Sequence, residues 1–130
     1  MFDKSDYWLE LADDDVPVAE ILLNGKKYLQ AGFFCHLIVE KALKAVIASI
    51  TSEIPPRIHH LILLAERAGI AGDLTEHQRN LLMELNPLQI EARYPEYKER
   101  IAKTLTHDIT ARLFHETEDF LCWIKQKLGK

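Results

Sequence analysis

Long uncharged apolar runs are missing from this 130-residue chain, and so is any excess of positive charge. The first absence excludes a membrane-spanning helix, which needs about 20 consecutive apolar residues. With 16 Lys and Arg against 20 Asp and Glu the net charge is -4, so overall charge cannot draw the protein onto nucleic acid or an anionic membrane. Any such partner must be met by a local basic patch. Cysteine is scarce: Cys35 and Cys122 lack metal-type spacing, lie among apolar residues with helical periodicity, and are expected to be reduced and packed. His59, His60, His77 and His115 also lack ligand spacing beyond the adjacent pair, whose side chains should diverge, so no metal and no cofactor are expected. The acidic start, Met1 to Asp15, does not have the basic-then-apolar order of a secretion signal, and a cytoplasmic location is expected. Neither repeats nor a linker divide the chain. One domain over 1–130 is predicted, with a core of about 6–128 that buries about two-thirds of its unfolded surface.

What is present is helical periodicity. Trp8, Leu11, Ala12, Ala19, Leu22 and Leu23 recur at three- and four-residue steps before Asn24-Gly25, predicting a first helix over about 6–24 that Pro17 kinks or restarts. Asp13, Asp14 and Asp15 point in different directions around such a helix and read as a solvated face or a cap. A second helix over about 27–50 follows a very short turn, so the first two should form an antiparallel hairpin. Further helices are predicted over about 58–68, from Thr75 with Gln78 in a capping box, and over about 106–128. The stretch Leu88 to Leu105 has no clear pattern and reads as irregular. The fold class is therefore all-α, an up-and-down bundle of about five helices.

The second helix carries the most information. Leu29, Phe33, Phe34, Leu37, Ile38, Val39, Leu43, Val46 and Ile47 cover too much of its circumference for a surface helix, so it should be central, with Phe33 and Leu37 deep in the core. His36, Glu40 and Lys44, four residues apart, form one polar stripe on it, in which Glu40 can pair with Lys44. Such a stripe either faces a binding groove or lies at a dimer seam.

The order of residues on that helix, a small residue and an aromatic pair followed by Glu40-Lys41-Ala42-Leu43-Lys44-Ala45, resembles the HEPN domain family. His59-His60-Leu61 is similar to the family's Thr-His-Asp-Leu element, and Glu91-Ala92-Arg93-Tyr94-Pro95-Glu96 to its Ala-Arg-Tyr-Pro-Asp element. Ile58 and His60 depart from the family's threonine and aspartate. The resemblance covers about 6–128 and implies a helical bundle that dimerises, commonly with a minimal nucleotidyltransferase as partner. Some members are metal-independent RNases using an Arg, four to six intervening residues and a His. Arg100 and His107, with six between them, match that spacing, although Ile101 stands where active relatives commonly have a polar residue.

In the RNase reading His107 takes the proton of a ribose 2′-hydroxyl while Arg100 stabilises the pentacoordinate phosphate; if both were helical they would share one face, two turns apart. In the plainer reading Arg100 is a solvated cation and His107 belongs to the first turn of the last helix. Arg93 and Tyr94 are candidates for stacking or phosphate contact, or for locking a loop by packing. The leading expectation is a homodimeric binding module with a nucleotidyltransferase partner, contacting nucleotide or RNA. Tyr7, Trp8, Phe114 and Trp123 supply more large side chains than one modest core requires and are candidates for the dimer seam. The alternatives are an RNase toxin of a toxin-antitoxin pair using Arg100 and His107, and a structural dimeric adaptor.

Overall fold

The computed structural model describes residues 3–89 and 95–130, and among them there are six α-helices and no strand. The first, α1, spans Lys4–Asn24, and α2 spans Tyr28–Ile50. Asp3 starts α1 through a reciprocal capping box with Asp6, and Gly25 closes it by donating its N–H to the carbonyl of Ile21. Pro17 does not restart the helix. The ring sits on an exposed position inside a continuous α1, which loses one backbone donor there without ending. The turn into α2 is completed by Lys26 at φ 62°, a left-handed residue that lets two long helices lie antiparallel as the short connection predicted.

Helix α2 is the centre of the bundle. Its buried residues run almost without interruption from Ala42 to Ala48 and include Ile38, Val39 and Leu43, because α1, α3, α4, α5 and α6 all pack on it. Phe33 and Leu37 are only half-buried, which corrects their expected depth: the fully buried face is the one carrying Ala31, Cys35, Ile38 and Ala42. Gly32 is needed on this helix, since a Cβ there would stand 2.9 Å from Leu88 Cδ1 and 3.4 Å from Leu105 Cδ1. Its small size lets the residues that flank the α5 region settle directly on α2.

An extended segment, 51–60, leads to α3 (Leu61–Arg67), which is shorter than predicted because His60 itself is the N-cap and accepts from Leu63 N. Helix α4 (Glu76–Leu85) opens with the predicted Thr75–Gln78 capping box and runs into a 3-10 turn, Asn86–Gln89. The stretch read as irregular contains α5 (Pro95–Thr104), with proline at the favoured first position. Periodicity missed it because Ile101 is the one large aliphatic residue that this polar helix packs on the core.

Helix α6 (His107–Lys127) lies antiparallel to α1, as Lys125 pairing with Asp13 and Lys130 with Asp3 and Asp6 require. Asp15 pairs with Lys41 and Asp14 is exposed, so the acidic run does fan out into surface pairs. Phe114 is 2% exposed and belongs to the core, so it has no part in a seam; Trp8 and Trp123 are half-buried against the core and Tyr7 is exposed. Cys35 is buried, with its thiol pushed up to about 12 by burial. Cys122 is exposed on the outer side of α6, contrary to the expectation that both thiols are packed.

Candidate functional site

Two groups of polar side chains stand out, and they differ in every physical respect. The first is the stripe on α2. His36 Nε2 lies 2.9 Å from the carbonyl oxygen of His59, which can only accept, so Nε2 carries the proton. Burial, opposed in part by the Glu40 carboxylate, keeps this ring below the ordinary imidazole pKa and therefore neutral. Its Nδ1 is left as a lone pair without a hydrogen-bond partner, 3.5 Å from Glu40 Oε1. Glu40 Oε1 accepts from His59 Nδ1 at 3.1 Å and Oε2 accepts from Lys44 Nζ at 2.9 Å. The Lys44 ammonium also lies 5.5 Å from the centroid of the Trp8 ring, close enough for a cation–π contact.

The ladder therefore runs from His36 through Glu40 and Lys44 to Trp8, and ties segment 51–60 to α2 through both the backbone and the ring of His59. Lys4 Nζ, donating to the Ser52 carbonyl at 2.7 Å, holds the other end of the segment. His36, Glu40 and Lys44 are 0%, 5% and 7% exposed. Among the described residues this chain's own α1 and segment 51–60 cover the stripe, so it does not line an open groove. His59, like the half-buried Trp8 at the other end, takes the ladder to solvent: with Nδ1–H committed to Glu40, its Nε2 is the acceptor end of a half-exposed ring. Spacing could not reveal the role of His59, since 19 residues separate it from Glu40.

The second group is at the junction of α5 and α6. Arg100 and His107 are both exposed, but on two helices rather than one, so the shared helical face does not form. Thr106 is extended and caps α6 by accepting from Ile109 N at 3.2 Å, while the buried Leu105 pins the link beneath. The break thus has two causes, a capping side chain and an apolar anchor. His107 packs edge-on against Tyr28 with ring centroids 5.9 Å apart, and its Nδ1 lies 3.2 Å from Asp108 Oδ1. That contact places the proton on Nδ1 and leaves Nε2 as an acceptor on an exposed ring. Arg93 and Tyr94 lie outside the described residues.

Of the remaining histidines, His59 and His60 do diverge: one turns to Glu40 and the other caps α3. His77 and His115 pair with Glu116 and Glu118 on the surface. Among the described residues no group of three His, Cys, Asp or Glu side chains is arranged to hold a metal ion, and no helix is long and apolar enough to cross a membrane.

A model of the HEPN domain matches residues 5–127, nearly the whole chain. No curated protein and no solved structure gave a significant match. The chain belongs to the HEPN domain family.

Proposed function

We propose that this HEPN chain is a dimeric binding module that receives a phosphate of a nucleotide or RNA at the α5–α6 junction and works with a nucleotidyltransferase partner. The observation that carries the phosphate contact is the exposure of Arg100 on α5 and of His107 at the start of α6, where the His107 ring stands beside Tyr28. An always-charged guanidinium is suited to phosphate oxygens, and a neighbouring ring can support a base. Dimerisation and the nucleotidyltransferase rest on family membership. Half-buried Trp8 and Trp123, and exposed Tyr7, remain candidates for the seam between copies.

A second reading, a metal-independent RNase toxin, is favoured by the tautomer of His107. With Nδ1–H held by Asp108, Nε2 can accept the proton of a 2′-hydroxyl as its oxygen attacks phosphorus; the P–O5′ bond breaks, the 5′-oxygen leaves with a proton from water to give a 2′,3′-cyclic phosphate, and Arg100 stabilises the charge that develops on the phosphoryl oxygens. Titration of a labelled single-stranded RNA and a labelled nucleotide, with sedimentation equilibrium alongside, tests the module. Binding by a dimer that Arg100→Ala weakens is expected. A monomer at tens of micromolar that binds neither probe would overturn it. Cleavage of RNA in excess chelator, lost in His107→Ala, selects the RNase.

A further inference from the structure

The side chains of His60 and Asn86 meet across the groove between α3 and α4 in an arrangement that leaves two donors without an acceptor among the described residues. Asn86 Oδ1 accepts from Leu61 N at 2.8 Å, and a backbone N–H can only donate, so the amide orientation is set and Nδ2 carries the two hydrogens. His60 Nδ1 accepts from Leu63 N at 3.2 Å for the same reason, so its proton is on Nε2. Those two hydrogen-bearing nitrogens are 3.4 Å apart. Neither can accept from the other without giving up its backbone anchor, and a hydrogen bond between them would need one to do so. The pair is open to a single shared acceptor oxygen.

A cavity of about 390 Å³ extends from this pair, lined among the described residues by His60, Ile62, Arg79, Met83 and Asn86. Of these Arg79 carries a permanent formal charge. One guanidinium nitrogen of Arg79 is fixed by the Ala71 carbonyl at 3.0 Å. The lining thus offers donors and one positive charge, no carboxylate, and two apolar side chains. That combination suits an anionic oxygen attached to an apolar body. His60 stands where the family's element has aspartate. An aspartate could also cap α3, but only the histidine adds a ring N–H to the groove.

We propose that the α3–α4 groove binds a small organic anion, a phosphate monoester or a carboxylate, whose oxygen accepts from both His60 Nε2 and Asn86 Nδ2. The site shares no lining residue with the α5–α6 junction and stands or falls independently of the function proposed there. Phenyl phosphate and benzoate, with benzyl alcohol as the neutral control, are titrated into ¹⁵N-labelled protein while the Asn86 side-chain amide and the His60 ring nitrogens are followed by NMR. Saturable shifts at both residues with at least one anion are expected, and the tighter anion identifies the oxyanion preferred. Asn86→Asp keeps the acceptor for Leu61 N and replaces the donor, while His60→Ser keeps a cap and removes the ring. Each variant should bind roughly tenfold more weakly, with the Leu61 and Leu63 amide signals still showing folded protein. Unchanged affinity in either variant, equal shifts with benzyl alcohol, or a His60 proton found on Nδ1 would overturn the site.

Discussion

His36 and His107 each stand beside a carboxylate, yet the first is sealed inside the bundle and the second is open to solvent. Around His36 the charged groups are committed, Glu40 to His59 and Lys44 and Lys44 also to Trp8, while the Nδ1 lone pair of the ring is sealed in without a partner. Around His107 the ring is positioned by Tyr28 and Asp108 but stays exposed, with Nε2 outside the Asp108 contact. Buried polar groups must be satisfied within the fold, so a ladder of this kind is tied to stability and to holding segment 51–60. Exposed groups cost little to retain and are available to a ligand. The same residue types therefore take opposite roles according to which helix surface carries them.

The largest test of this contrast is Glu40→Ala. Removing the carboxylate leaves the Lys44 ammonium buried without its counter-charge, and a loss of about 3–5 kcal/mol in urea unfolding is expected. A loss below about 1 kcal/mol would show that the ladder is not what holds this face together. Next, Leu43→Ala should cost about 2–5 kcal/mol by loss of burial and creation of a cavity, whereas Leu37→Ala, only half-buried, should cost about 1 kcal/mol. The reverse order would displace the fully buried face of α2.

A smaller effect concerns the pH dependence that His36 confers. Burial depresses the pKa of folded His36, so below the ordinary imidazole value of 6.5 the unfolded chain takes up a proton that the folded ring refuses. Stability should fall as pH is lowered through that window, and His36→Gln should flatten the dependence by at most about 1.4 kcal/mol per pH unit. Unfolding curves between pH 5 and 7.5 that are equally steep in both proteins would remove His36 from the account. The smallest change is expected for His107→Ala, within about 0.5 kcal/mol of the parent in urea unfolding, because the ring is exposed and Thr106, not His107, caps α6. A large destabilisation would place His107 among the structural groups.

The hairpin of α1 and α2, the capping box at Thr75 and the central place of α2 were legible because each is a local pattern with a local physical cause. The family was legible for the same reason, through short elements in a fixed order. Helix α5 was not, since its single large aliphatic contact, Ile101, leaves no period to read. The depth of Phe33 and Leu37 was misjudged because an all-round apolar helix does not declare which of its faces meets the most neighbours.

Sequence spacing alone established that His36, Glu40 and Lys44 share one side of a helix and that Arg100 and His107 stand seven residues apart. Tertiary structure decided that His59 and Trp8 complete the first group and that a helix break divides the second. It also brought His60 to Asn86 across 26 residues of chain. The reason is that helical periodicity constrains neighbours within a turn or two, whereas burial, tautomer and donor–acceptor balance depend on which distant elements close over a side chain.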